Sequence, residues 1–453
     1  MSEKREFVLR APLGRTLWSL SWPLVLSNEL NVLTISILIF WLDRLLGQTG
    51  LAVESLFRPV GLMVAWLLGS VGVGTTVLVS RSVGARDGRA MSITVRALSL
   101  SVGLWLGLTL IAAPLAPSIA RLLAGGLPID QVLLQFILPW LILALPLLTA
   151  AEILLDVVSA TGWTKFGLVR VLTNLAVIAV LVPLMVDVAG LGIAGAPIAE
   201  GMGAALLILA LGLAMHRRRI ALGLGQADPG SWRRPDWALW REIMAIGLPV
   251  SAIRAASFAT QVVLVQLAAR EGGAAVAGYG IASAIILYGA VVTLALSQSC
   301  GIVIGQSLGA ELPDRARGAM RAGLAGMVLV ASGFVLLTLA DESIIRFFTT
   351  DAAIAAQAER SLSIMRWALY GIGTWQVLLM TFAALKATGR ASLLTIVADV
   401  VGVGFAFLWP GDSPLVTVSL AFCLSCWLKG AFLLVLAMTD RRLPRVLDSR
   451  RGS

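Results

Sequence analysis

Charged residues are scarce in this chain. Asp, Glu, Lys and Arg make up 13% of its 453 residues, whereas 58% of the residues are apolar; soluble domains carry about 25% charged residues. The charges are also clustered, and they leave charge-free stretches at 59–80, 97–120, 131–151 and 272–310. Because about 20 apolar residues span a bilayer as a helix, the composition predicts a polytopic membrane protein. It excludes a soluble enzyme, a secreted disulfide scaffold and a disordered chain.

Histidine and cysteine are rarer still. The single histidine, His216, lies in a polar segment, so a His-Glu-x-x-His zinc helix, a haem-binding pair and a Ser-His triad are excluded. Cys423 and Cys426 form a Cys-x-x-Cys inside an apolar run, where packing is the favoured interpretation. The chain has no P-loop for ATP. We therefore expect no enzyme activity and no bound cofactor or metal, and we expect an H+, Na+ or substrate gradient to supply the energy.

Apolar runs bounded by charges and turn residues predict an all-α fold of twelve membrane spans. The predicted spans are 17–45, 57–80, 97–120, 132–158, 166–186, 190–214, 244–268, 275–304, 318–340, 361–385, 391–410 and 414–438.

Basic residues fall in the short segments between these spans. With the N-terminus inside the cell, 26 of the 35 Lys and Arg residues lie on the cytoplasmic side, as the positive-inside rule requires. This predicts a multi-pass protein of the cell (inner) membrane with both termini cytoplasmic and no cleaved signal. The net charge of +10 is thereby explained without a nucleic-acid partner. The expected partners are the lipid bilayer and a small-molecule substrate.

The two halves of the chain resemble each other. Trp22-Pro23 matches Leu248-Pro249, and Ser82-Val83-Gly84-Ala85 matches Ser307-Leu308-Gly309-Ala310; two further matches keep the same order, all at separations of 223 to 227 residues. Six spans per half make these parallel repeats, as in some secondary transporters. The predicted segments are a cytoplasmic N-terminus 1–16, a six-helix bundle 17–215, a linker 216–241, a second bundle 242–440 and a tail 441–453. Since the linker and tails are too short for another domain, a monomer is expected.

Several ionisable residues lie inside predicted spans, where a charge costs about 2.5–3.5 kcal/mol and so indicates a function. The candidates for ion coupling or a substrate cavity are Asp43, Glu29, Glu152, Asp156 and Glu200, with Asp399 in the second half. Arg254 in span 7 is a candidate for docking an anionic group. Pro23 and Pro249 occupy equivalent places in spans 1 and 7 and are candidate hinges, because proline loosens a helix.

These motifs resemble those of the multidrug and toxic compound extrusion (MATE) family. The resemblance extends from about residue 17 to 442 and rests on the inner-loop segments Ser80–Ala85 and Ile302–Ala310, on Gly247-Leu248-Pro249, on the two Ala-Thr-Gly motifs at 160 and 387, and on Gly195–Ala199. It implies twelve helices in two bundles forming a V around a central cavity. It also implies export of drug-like, often cationic, compounds against inward H+ or Na+ flow.

The resemblance also assigns individual residues. Asp43 lies where the family carries an aspartate in span 1, which makes it the expected centre of coupling. Ser257 and Trp375 stand where some members carry acidic residues in spans 7 and 10, and Val182-Pro183 replaces the usual Asp-Pro of span 5. These departures favour coupling through the first half, with Arg254, Ser257 and Asp399 lining a cavity in the second.

Two other functions stay open at this point. Related superfamily members flip lipid-linked saccharides, and Arg254 is the main residue favouring that reaction. A membrane receptor or scaffold without transport activity is the alternative from another class.

Overall fold

The structure is a computed structural model that describes residues 3–217, 236–409, 411 and 413–439. Most of the predicted linker 216–241 and the predicted tail 441–453 lie outside these residues, together with their basic clusters.

The described residues are almost entirely helical. The helices are α1 (Glu3–Arg10), α2 (Leu13–Ala85), α3 (Ala90–Ala124), α4 (Asp130–Pro139), α5 (Leu145–Ala160), α6 (Phe166–Pro183), α7 (Gly195–Arg217), α8 (Trp237–Ala268), α9 (Gly273–Gly309), α10 (Pro313–Leu337), α11 (Asp341–Phe348), α12 (Ala352–Met365), α13 (Ala368–Ala384), α14 (Thr388–Leu408) and α15 (Pro414–Thr439).

The predicted spans are recovered in order. In the described part of the chain, ten helical segments are long and apolar enough to cross a membrane, and the shorter apolar helix α13 adds to them. One of the ten is α2, whose 73 residues contain both predicted spans 1 and 2. The protein is therefore an all-α polytopic membrane protein, as the sequence predicts. Many leucines and valines on its surface are exposed, for example Leu110 at 76%, because lipid rather than water surrounds such helices.

The loop expected between spans 1 and 2 is not formed. The backbone of α2 leaves helical geometry only at Gly47, with φ 59° and ψ −146°, a conformation that glycine adopts without strain. Glu54 and Arg58, which fall in or beside the expected loop, are consequently helical residues of the second span.

Predicted span 10 is also divided differently. It consists of α12 and α13, which are separated at Arg366 and Trp367. Arg366 is buried, and its guanidinium donates hydrogen bonds to the carbonyl oxygens of Leu362 and Thr338.

Local sequence explains the other helix ends. Pro139 and Pro183 each close an α-helix, and a π-helical turn follows immediately at Trp140–Ala144 and Leu184–Val188; proline lacks the N–H and crowds the preceding turn, and a π turn accommodates this. Asp351 caps α12 by accepting hydrogen bonds from the N–H groups of Ala353 and Ile354.

The internal repeat is visible in the backbone. The matching segments at the ends of α2 and α9 are followed by Arg86 and Glu311, both with φ 58°. A non-glycine residue in the left-handed region is uncommon, so its recurrence at a separation of 225 residues reflects the same local structure in both halves.

Two compact units divide the chain at unexpected points. The first comprises the N-terminal segment up to Val8 and Leu26–Leu248, and the second comprises Leu9–Val25 and Pro249 onward. The predicted bundles 17–215 and 242–440 differ from these units, because the start of span 1 belongs to the second unit and the start of span 7 to the first. Both boundaries fall inside continuous helices, two residues after Pro23 and directly before Pro249. The hinge role of these prolines stays a prediction.

The glycine of the Gly247-Leu248-Pro249 motif has a packing role within the first unit. A Cβ at Gly247 would overlap with the carbonyl oxygen of Ser70 in α2, whereas a Cβ at Gly212 would meet nothing within 4 Å. The start of α8 therefore packs backbone to backbone against α2.

We predict that Gly247→Ala destabilises the protein by about 1–3 kcal/mol, because the methyl group forces the two backbones apart. Gly212→Ala is the matched control and should leave the melting temperature of the purified protein unchanged or raise it, since alanine favours a helix. Equal melting temperatures for the two variants would contradict the close approach of α8 and α2.

Candidate functional site

A cavity of about 300 Å³ lies within the first unit. Residues of α2, α4, α5, α6 and α7 and of the π turn after Pro139 form its wall. Its polar lining consists of Asn31, Thr34, Glu54, Arg58, Thr149, Glu152, Arg170, Asn174 and Glu200.

Two ion pairs stand in this wall. Glu54 pairs with Arg58 one turn later on α2, and Glu152 of α5 pairs with Arg170 of α6. Positions i and i+4 share a helix face, which brings Glu54 and Arg58 together. Each guanidinium is thus neutralised by a carboxylate, and neither presents a free positive charge to a ligand.

Glu200 differs from the other two carboxylates. It lies near the start of α7 and interacts electrostatically with both Glu54 and Arg58. Among the described residues, none forms an ion pair or hydrogen bond with it. With all groups ionised, three carboxylates and two guanidiniums leave the cavity one net negative charge, and Glu200 carries it.

Glycines set the position of Glu200. A Cβ at Gly203 would lie 2.8 Å from Val177 in α6, and one at Gly201 would lie 3.1 Å from Leu143 in the π turn. Small residues let helices approach closely in a membrane. Helix α7 therefore packs tightly against its neighbours with Glu200 facing the cavity.

Aromatic rings form another part of the wall. The Phe57 ring lies edge-on to Phe136 and Trp140, at centroid distances of 5.2 and 4.9 Å, and all three residues line the cavity. Trp140 is the first residue of the π turn that follows α4. An aromatic wall beside a net negative charge suits a compound that is partly apolar and positively charged.

The sequence-predicted residues of the first half separate into two groups. Glu152 and Glu200 line the cavity. Asp43 is exposed and Glu29 half-buried, and neither is part of the lining. Asp156 is half-buried and lies against Gly72 of α2. The geometry thus puts Asp43, the expected centre of coupling, outside the cavity.

Sequence reasoning missed Glu54, Arg58 and Arg170. Glu54 fell in the expected loop between spans 1 and 2, Arg58 fell at the start of predicted span 2, and Arg170 was assigned to a cytoplasmic end. The i, i+4 spacing of Glu54 and Arg58 directly before a charge-free run is the signal that would have found the first pair.

The second unit holds a closed polar cluster. Asp399 of α14 and Lys429 of α15 are 2% and 4% exposed, and Lys429 Nζ lies 2.7 Å from Asp399 Oδ1. Ser257 of α8, predicted to be near Asp399, donates a hydrogen bond to it at 2.9 Å. Arg254 is half-buried one turn earlier on α8. Lys429 was not singled out from the sequence.

A larger cavity of about 620 Å³ lies between α11 and the start of α12, with Arg346 and Glu359 in its lining. It is formed by short segments next to the spans, not by the spans themselves.

We predict that Arg58→Gln lowers the melting temperature more than the double variant Glu54→Gln/Arg58→Gln. The single variant leaves the buried Glu54 charge without its partner and next to Glu200, and uncompensated buried charges are strongly destabilising. Thermal unfolding of the purified proteins measures both. A double variant that is less stable than the single one would contradict the pairing.

The family model described as MatE matches residues 23–185 and 249–408. These two segments are of nearly equal length and begin at Pro23 and Pro249, in agreement with the internal repeat.

Among individual proteins, the chain is 24% identical over 409 residues to the multidrug export protein MepA of Staphylococcus aureus (strain MRSA252), covering 88% of this chain and 87% of MepA. It is also 24% identical to the probable multidrug resistance protein YoeA of Bacillus subtilis (strain 168), with 90% and 86% covered.

Solved structures share the fold. A multidrug resistance MATE family transporter of the MOP superfamily in an outward-facing conformation superposes with a TM-score of 0.88 at 19% identity, over 99% of this chain and 100% of that one. A MOP superfamily transporter from Pyrococcus furiosus, for which a binding pocket of reversed polarity suggests a different function, gives 0.86 at 19% identity, over 98% and 99%.

Proposed function

Because the chain belongs to the MatE family, we propose that it is a secondary active antiporter that exports small amphipathic or cationic compounds in exchange for H+ or Na+ by alternating access. The observation that carries this proposal is the unpaired Glu200 in an aromatic-walled cavity of the first unit. The names of two relatives, which describe multidrug export and multidrug resistance, support the same substrate class.

The cavity suits such a substrate. Phe57, Phe136 and Trp140 offer apolar area and ring faces, which attract cations. Asn31, Thr34 and Asn174 add hydrogen-bonding groups. Few polar groups in a mostly apolar wall fix the orientation of a ligand without demanding one chemical structure.

Glu200 supplies the exchange step. An isolated carboxylate in a low-dielectric bundle is costly unless it holds a proton or a cation. A cationic compound and a coupling ion therefore compete for the same charge. Arrival of H+ or Na+ at Glu200 releases the compound, and departure of the ion restores the site.

The alternative of flipping a lipid-linked saccharide fits the cavity less well. A pyrophosphate linkage needs free positive charge, but Arg58 and Arg170 are each paired with a carboxylate. No residue arrangement described above favours a receptor, a scaffold or an enzyme over a transporter.

The cellular setting is part of the proposal. The protein is a multi-pass membrane protein, and we assign it to the cell (inner) membrane, acting as a monomer without a resident cofactor.

The decisive experiment compares two carboxylates. In cells that lack their own efflux pumps, the wild-type protein should lower accumulation of cationic dyes relative to empty vector. We predict that Glu200→Gln reduces this export at least ten-fold, because the amide has no negative charge to compensate a cation and takes up no proton. Asp43→Asn, which lies outside the cavity, should retain most of the activity.

The opposite ranking, with Asp43→Asn inactive and Glu200→Gln active, would show that coupling does not use this cavity. Wild-type accumulation equal to empty vector across a broad panel of compounds would reject drug export itself. Variant amounts in the membrane are matched by immunoblot.

The coupling ion is identified in proteoliposomes. We expect an imposed gradient of either pH or Na+ to drive compound uptake by the wild type and not by Glu200→Gln. If the gradient that drives uptake by the wild type drives it equally well in Glu200→Gln, the exchange role of Glu200 is contradicted.

Orientation is tested by reporters at the C-terminus. We predict that a green fluorescent protein fusion is fluorescent and an alkaline phosphatase fusion is inactive, because both termini are cytoplasmic under the positive-inside rule. An active phosphatase fusion would contradict the cytoplasmic C-terminus and would overturn either the orientation or the even number of spans.

A further inference from the structure

The ammonium of Lys429 is held by oxygen atoms in the interior of the second unit. Its Nζ lies 2.7 Å from Asp399 Oδ1 and donates a hydrogen bond to Ser257 Oγ at 2.9 Å. Ser257 in turn donates to Asp399 Oδ2 at 2.9 Å, and Ser425 donates to Asp399 Oδ1 at 2.8 Å. The Trp375 ring centroid is 5.5 Å from Nζ.

This arrangement has the composition of a monovalent cation site. A carboxylate oxygen, a hydroxyl oxygen and an aromatic face surround one positive charge, and hard cations take oxygen ligands. Helices α8 and α14 supply the two oxygens and α15 supplies the ammonium, so the site is built by the tertiary fold. Ser425 holds the carboxylate from a second direction without contacting the ammonium in the described hydrogen bonds.

Burial makes the positive charge necessary. Asp399 is 2% exposed, and a carboxylate at that depth needs a compensating charge or a proton. Lys429 meets that need from within the chain, at the end of a side chain that is itself 4% exposed. An ion from solution would meet it equally well if the ammonium were absent.

We propose that Lys429 is a tethered cation: its ammonium occupies a monovalent metal-ion site formed by Asp399 and Ser257, so the second unit binds no ion from solution. The proposal concerns ion binding and not export, so its test does not depend on the proposed function.

The test removes the ammonium and measures ion binding to the purified full-length protein. At saturation, Lys429→Ala should bind about one radioactive sodium or rubidium ion (rubidium serving as a potassium analogue) per chain more than the wild type binds. Lys429→Arg and Lys429→Ala/Asp399→Asn should bind no more than the wild type. Adding Ser257→Ala to Lys429→Ala should weaken binding several-fold by removing a ligand.

Thermal unfolding gives a second readout. An ion that binds only the folded state raises its stability. NaCl or RbCl should therefore raise the melting temperature of Lys429→Ala above its value in choline chloride of equal ionic strength. Neither salt should raise the melting temperature of the wild type or of Lys429→Arg, which keep a positive side chain at this position. A purely structural ion pair predicts destabilisation of Lys429→Ala that neither salt reverses.

Three results would overturn the proposal. The first is a monodisperse Lys429→Ala that binds neither ion above the double variant. The second is wild-type binding of sodium or rubidium that Asp399→Asn abolishes. The third applies if Lys429→Ala does not fold and Lys429→Gln is used in its place. It is a melting temperature of Lys429→Gln that neither NaCl nor RbCl raises. If neither variant folds in any salt, an ion cannot replace the ammonium, and that result also rejects the site.

Discussion

The cost of a charge inside an apolar helix bundle governs this structure. With only 13% charged residues, each carboxylate within a span must be compensated, because several kcal/mol separate a bare buried charge from a neutralised one. The protein does this in three ways. Glu54 has a partner one turn away on its own helix, Glu152 has a partner on a neighbouring helix, and Asp399 has the ammonium of Lys429. Among the described residues Glu200 has none of these partners, and this contrast with the other three is why we propose it as the exchanging group.

Backbone approach makes such placement possible. Glycines at 201, 203 and 247 are sites where a Cβ would press on a neighbouring helix, and two π turns follow directly after the prolines that end α4 and α6. Close packing supplies the dispersion contacts that hold membrane helices together. It also fixes side-chain direction, since a rotation of α7 would move Glu200 out of the cavity and expose its charge to lipid.

The fold was largely predictable and the site only partly so. Apolar runs near 20 residues long and basic loops report directly on bilayer crossing, which is why the spans and the repeat were recovered. The loop expected at residues 46–56 is wrong for a local reason: Glu54 is neutralised by Arg58 one helical turn later, so its charge does not require a loop. Glu200 was found because it interrupts an apolar run. Asp43 was expected to be the centre of coupling because of the family resemblance. Its side chain is exposed, and which face of α2 it occupies before Gly47 cannot be predicted from composition. Lys429 lies inside predicted span 12 and was missed because its partner, Asp399, is on another helix, and the sequence does not show which helices are neighbours.

The two units have thus diverged from one repeated plan. Their shared ancestry is seen in the left-handed residues Arg86 and Glu311 and in the two family-model matches that start at prolines. The first unit keeps a cavity with one unsatisfied negative charge, whereas the second has a closed cluster whose positive charge is covalently attached. A transporter that exchanges one ion needs only one site at which charge is exchanged with solution. A second such site in the other repeat would bind ions without contributing to export, and a fixed ammonium removes that site while preserving the polar contacts between α8, α14 and α15. In the proposed mechanism, charge compensation from within the chain thus confines ion exchange to the first repeat.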